Sequence, residues 1–156
     1  MRARGFTLIE LVITVAIVGL LATAAFPLAR LATQRVKETE LRAALREIRN
    51  ALDAYKSAAD QGRVEKKLDT TGYPATLQLL VDGVVDTRSD KQAMIYFLRR
   101  IPRDPFFPDG AVASADTWGL RSYASPPDDP AAGDDVYDVY SLAPGSGING
   151  VPYHDW

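Results

Sequence analysis

Few side chains in this sequence are of types that do chemistry, and their spacing decides which chemistry is open to them. Glu10 is the only charged side chain between Phe6 and Ala29, a carboxylate inside an apolar run. A carboxylate at the centre of a bilayer costs about 2.5–3.5 kcal/mol on insertion scales, so an acid in such a run needs a partner. No Lys, Arg or His lies near it in the segment. The alternative is a tolerated acid at a helix start, favoured by the helix dipole by about 0.3–1 kcal/mol. His154 is the only histidine. Beside Asp155 it has the composition of a base, but with no cysteine in the chain it lacks metal-ligand company and reads as an exposed residue. Ser141 has no flanking nucleophile-elbow glycines, and no phosphate-cradling glycine motif occurs. Trp118, Tyr123, Tyr137 and Tyr140 suit a strand core or an interface better than a platform for stacking bases.

The element that positions Glu10 is the apolar run reaching about Ala25. At roughly 1.5 Å of rise per residue, about 20 helical residues cross the approximately 30 Å hydrocarbon core. A secretory signal would place a cleavage site after its apolar core. Here the order is inverted: the basic leader, with Arg2 and Arg4, ends in Gly5, and the long apolar segment follows. The remainder is enough for one modest domain with its own core. A net charge of −2 gives no basic footprint for nucleic acid. Absence of cysteine excludes a disulfide framework, thiol catalysis and thiolate-bound metal. Charge does not orient the segment, since Arg2 and Arg4 on one side face Arg30, Arg35, Lys37 and Arg42 on the other.

Gly5-Phe6-Thr7-Leu8-Ile9-Glu10, with its basic leader and apolar continuation, resembles the prepilin signature of the type IV pilin-like family. That resemblance implies cleavage by a prepilin peptidase between Gly5 and Phe6 and methylation of the new Phe6 amine. Glu10 matches the family's glutamate, and Pro27 its helix-kinking proline. Cleavage would create a cation about one helical turn from Glu10, and methylation leaves it charged. Glu10 is then expected to pair with the Phe6 amine of a neighbouring subunit and set the register of packed helices. The expected organisation is a leader at 1–5, a transmembrane and assembly helix at 6–29, and a periplasmic domain at 30–156. The periplasmic side comes from the resemblance.

Beyond Pro27, which lacks an N–H for the Thr23 carbonyl and is expected to kink the helix, good helix formers resume. Leu41, Leu45, Ile48, Leu52, Tyr55 and Ala59 recur at alternating spacings of four and three and mark one apolar face. Glu38, Arg42, Arg46, Arg49, Asp53 and Lys56 are assigned to other faces. Phe6 to about Ala59 is thus predicted as one helix, roughly 80 Å long, packed in its second half on its own domain. Residues 61–72 read as a loop. Tyr73-Pro74 is predicted to open a second helix with Leu77, Leu80, Val81 and Val84 inward and Gly83 weakening its end. Ser89-Asp90 could cap a segment containing Met94, Ile95, Phe97 and Leu98, whose type stays open. Residues 99–106 end regular structure through two prolines. Residues 118–124 and 136–141 are predicted strands, joined by the turn-forming run 125–133.

Arg99-Arg100-Ile101-Pro102-Arg103-Asp104-Pro105 resembles a segment of the major pseudopilins of type II secretion, with an apparent insertion from Phe107 to Thr117 before Trp118-Gly119. Asp138-Val139-Tyr140-Ser141-Leu142 resembles their last strand. The implied fold is α+β: a long N-terminal helix packed on a small antiparallel β-sheet domain, pilin-like. Members of this group bind calcium in an aspartate-bearing loop after that strand. Here Ala143 to Gly150 carries no acid, which leaves Asp134, Asp135, Asp138 and Asp155 as candidate calcium ligands against a loop satisfied by backbone and water. The resemblance implies a structural subunit and not an enzyme. It would be a self-polymer with minor pseudopilins, a prepilin peptidase and an inner-membrane assembly platform as partners. A type IV pilus subunit, or a signal-anchored periplasmic enzyme or binding protein, are the alternatives.

Overall fold

The structure, a computed structural model, describes residues 5–66 and 70–156, apart from the side chains at 24–26. The leader positions 1–4 lie outside the described residues. The described residues form two compact units, one ending at Val36 and one from Lys37 to Trp156. Helix α1, Leu8–Asp60, contributes to both.

Thr7 caps α1. Its Oγ1 accepts the Glu10 N–H at 3.3 Å, and its carbonyl accepts the Leu11 N–H at 3.2 Å. The carbonyl bond is the first of the helix, and the hydroxyl satisfies a donor that the first turn cannot satisfy itself. The helix continues through Pro27, so the proline does not act as a stop. Within the first unit the hydroxyls of Thr14, Thr23 and Thr33 donate to their own helix at Leu11, Leu20 and Ala29. Polar groups that close on their own helix demand nothing from hydrocarbon.

In the second unit α1 carries the core. Leu41, Leu45, Ile48, Leu52, Tyr55 and Ala59 are all buried, joined by Ala44, Ala51 and Ala58. Alanines widen the stripe because they bring the facing backbone close. Each large side chain on this face contributes about 1.5–3 kcal/mol by leaving water. Glu38 corrects the helical-wheel expectation: it is 4% exposed and faces inward.

After a turn around Gly62, Val64 is buried, and helix α2, Leu79–Asp82, follows. It is shorter than predicted. Pro74 does not open it, because the Pro74 carbonyl accepts the Val136 N–H at 2.8 Å and so belongs to the sheet side of the unit. Leu77 and Leu80 are buried as expected. Gly83 ends the helix at φ 80°, in the left-handed region that glycine tolerates. Val84 is in a strand and not in the helix. Strands β1, Val84–Val85, and β2, Met94–Ile95, pair antiparallel. Ser89 and Asp90 therefore lie in the connection between strands and cap no helix. The Arg63 guanidinium hydrogen-bonds Asp86 beside this hairpin and holds its carboxyl below the usual carboxylate range, outweighing desolvation.

Strands β3, Trp118–Arg121, and β4, Asp138–Ser141, pair antiparallel, Trp118 opposite Ser141 and Arg121 opposite Asp138. Both lie within the predicted ranges. The architecture is the α+β, pilin-like arrangement of a long helix with small antiparallel sheets. A Cβ on Gly119 would stand 2.2 Å from the Tyr140 ring, which itself packs on His154 at 4.4 Å between ring centroids. Gly119→Ala is expected to cost about 1–3 kcal/mol by overpacking, read as a lower urea midpoint at unchanged slope.

Candidate functional site

Residues 5–7 precede α1 and are exposed, and the space around Gly5 is open. The Gly5–Phe6 bond therefore lies in non-helical backbone, the state in which a peptide bond can enter a peptidase. Every large apolar side chain from Leu8 to Leu21 is more than half exposed. A soluble monomer does not leave so continuous an apolar surface in water. Among the described residues α1 contains the only stretch long and apolar enough to cross a membrane, and none of that stretch is buried within the chain. Glu10 is exposed on this surface, its N–H bound to Thr7. Among the described residues its carboxylate has no ion-pair partner. The cap, Thr7, is not among the residues singled out from the sequence, although the Thr-x-x-Glu spacing of Thr7 and Glu10 signals it.

The four candidate calcium aspartates do not meet in one place, although Asp138 and Asp155 line one small cavity beside Arg49 and Arg121. Asp134 and Asp135 line a cavity of about 470 Å³ with Tyr55 and Tyr73. Burial, with help from Tyr137, pushes the Tyr73 phenol up. Asp135 accepts the Tyr123 N–H at 2.9 Å and the Thr71 hydroxyl. Asp138 pairs with Arg49 Nε at 2.7 Å, and Asp155 stands 3.1 Å from His154 Nδ1. Among the described residues no three His, Cys, Asp or Glu side chains are placed to share a metal ion. Calcium takes six to eight oxygens, usually with several carboxylates. This donor set does not fit it.

The terminal segment is held by side chains of α1 instead. Glu38 Oε1 accepts the Ile148 N–H at 2.8 Å and the Tyr153 hydroxyl at 3.2 Å. Eleven residues on, about 16 Å along the helix, Arg49 donates through Nη2 to the carbonyls of Val139 (3.2 Å) and Trp156 (2.9 Å) while Nε holds Asp138. Between these points Gly147 and Val151 pair through N–H to carbonyl at 2.8 Å, and Tyr153 stacks on Phe106 at 4.3 Å. Charge-assisted hydrogen bonds are about twice as strong as neutral ones.

Asp104, 1% exposed, joins three segments. It accepts the Phe106 N–H at 2.8 Å and the Ser141 hydroxyl, while its own N–H donates to Thr117 Oγ1 at 3.2 Å. Ser141 is thus a structural hydroxyl. The insertion is wrapped on Arg103, which donates to the carbonyls of Asp109 and Val112. Neither Glu38 nor Asp104 announces burial in the sequence, since Ile148, Tyr153, Thr117 and Ser141, which meet them, are all more than ten residues away.

Comparison with known proteins agrees with this geometry. The family described as the prokaryotic N-terminal methylation motif matches residues 1–26. Type II secretion system core protein G of Klebsiella pneumoniae is 29% identical over 155 residues, covering 97% of this chain and 89% of that protein. The protein of the same name from Pseudomonas aeruginosa is 31% identical over 106 residues, covering 65% of this chain and 67% of that protein. The Dickeya chrysanthemi protein is 25% identical and covers 96% of this chain and 94% of its own length. No solved structure gives a significant match.

Proposed function

This chain belongs to the family of type II secretion system core protein G, the major pseudopilins, and from that premise we propose how its residues serve a periplasmic pseudopilus. It is a pseudopilin subunit of type II secretion. The apolar helix anchors it in the inner membrane with the domain from about residue 30 on the periplasmic side. A prepilin peptidase cuts after Gly5 and methylates the Phe6 amine. The assembly platform then draws the subunit from the bilayer, and the helices exchange lipid for one another inside the filament. Minor pseudopilins join the same filament, and its growth pushes folded cargo outward. The chain itself is a substrate and building block and performs no catalysis.

The observation that carries this reading is Glu10, exposed on an apolar helix with no ion-pair partner among the described residues, close behind an open Gly5–Phe6 junction. In the assembled filament the Phe6 amine of a neighbouring subunit neutralises it. Pairing removes much of the cost of a carboxylate in hydrocarbon and fixes the axial position of one helix against the next. Pro27 leaves the Thr23 carbonyl without its helical donor and gives the helix a point at which to bend during packing.

Intact mass of the membrane-extracted protein tests the reading. With an active prepilin peptidase the protein is expected to lose Met1 to Gly5 and gain one methyl group; without the peptidase it keeps the full mass. An unprocessed mass in the presence of active peptidase would make the apolar helix an ordinary anchor.

A further inference from the structure

The outward face of α1 in the second unit has its charges sorted. At about 100° of turn per residue, Glu40 and Glu47 fall on one flank, and Arg42, Arg46 and Arg49 on the other, roughly 130° around the helix. Glu40, Arg42, Arg46 and Glu47 are exposed; Arg49 is half-buried. Arg42 and Arg46 stand one turn apart as like charges, an arrangement that destabilises a helix on its own. Among the described residues Arg46, Glu40 and Glu47 form no ion pair.

The arginine flank borders a groove of about 360 Å³ lined by Arg42, Arg46, Arg49, Asn149, Asp155 and Trp156. The Trp156 ring lies 4.0 Å from the Arg42 guanidinium and covers one of its faces, which leaves the N–H edges to point elsewhere. Arg49 is engaged with Asp138 and two carbonyls. The one acid in the groove, Asp155, sits beside His154. Asp53 continues this flank but lines a separate small cavity with Arg49 and Arg121. Arg42 and Arg46 therefore present positive charge outward, and the glutamates present negative charge on the other side of the same face.

We propose that these flanks are the two halves of one subunit-to-subunit contact, in which Arg42 and Arg46 of one copy face Glu40 and Glu47 of the next. The proposal rests on the polymer reading above and deepens it. A polymer built from identical subunits in one orientation joins two different surfaces of each copy, so both complementary patches must be present on every chain. Moved sideways without inversion, the arginine flank of one α1 meets the glutamate flank of its neighbour. Each pair neutralises charges that the single chain leaves open, and like-charged registers are rejected.

The test uses the full-length chain, processed and assembled by its own secretion machinery. Reversing one flank, with Arg42→Glu and Arg46→Glu or with Glu40→Arg and Glu47→Arg, should lower the yield of sheared filaments at least about tenfold. Processed subunit should remain in the membrane. Combining all four substitutions should return the yield to within about threefold of wild type. Unchanged filaments from either single-flank variant overturn the proposal. So does a four-fold variant no better than the single-flank ones, since the arginines would then serve another acidic partner.

A second measurement does not depend on how the reversed chains fold. The chain has no cysteine, so introduced thiols are the only ones. Subunits carrying Arg46→Cys, co-assembled with subunits carrying Glu47→Cys, should cross-link to each other in preference to themselves. Absence of that mixed dimer in filaments overturns the contact while leaving the filament function standing. A wild-type chain that is processed and never polymerises would defeat both.

Discussion

Glu10→Ala is expected to leave insertion and cleavage after Gly5 intact and to abolish filaments. Removing the acid makes the single helix more comfortable in lipid, because a carboxylate at hydrocarbon depth costs about 2.5–3.5 kcal/mol. The loss falls entirely on assembly. If pairing with a neighbour's Phe6 amine recovers even half of that cost per subunit, every contact weakens by roughly tenfold, since each 1.4 kcal/mol is about a factor of ten. A polymer multiplies that factor along its length. Sheared filaments should fall below detection while the membrane holds cleaved, methylated subunit, and secretion should stop with them. Filaments of ordinary abundance from the alanine variant would leave Glu10 only the role of an acid at a helix start, favoured by the helix dipole.

Glu38→Ala is expected to detach the terminal segment. It would leave the buried Tyr153 hydroxyl and the partly buried Ile148 N–H without this acceptor. At about 1–3 kcal/mol for each of these two lost hydrogen bonds, the domain should lose about 2–6 kcal/mol, seen as a lower denaturant midpoint of the detergent-solubilised protein. Glu38→Gln keeps an acceptor oxygen and should lose less than half as much. Trp156 reports the same event, because its ring packs on Tyr153 at 5.1 Å and on Arg42. In wild type a calcium chelator should leave the midpoint where it is, since among the described residues no three carboxylates are placed to share the ion. A midpoint that drops on chelation would transfer the anchoring role from Glu38 to a metal.

These two glutamates show how far local pattern carries. Glu10 was legible because its meaning is one-dimensional: a single charge in an apolar run, five residues behind a Gly-Phe junction, stands out whatever the chain does later. Local pattern places Glu38 on an outer face, and the structure buries it, for the opposite reason. It is a charged residue at the edge of the apolar stripe, and what turns it inward are Ile148 and Tyr153, both more than a hundred residues away. The second helix failed in a similar way. Pro74 has the local chemistry of a helix start, but its carbonyl was taken by Val136, and a sheet-side hydrogen bond outranks a weak propensity.

The sequence by itself determined the long helix with its apolar first half, the buried face from Leu41 to Ala59, the two strands around Trp118 and Val139, and the family. These rest on periodicity, composition and contiguous motifs, which are written along the chain. The tertiary structure alone decided that Asp134 and Asp135 line one cavity while Asp138 and Asp155 line another, that Asp104 joins three segments, and that Glu38 and Arg49 clamp the terminal segment. Such arrangements depend on which distant groups share a low-dielectric space. There a charged side chain stays only if partners reach it, and no spacing rule along the backbone records that meeting.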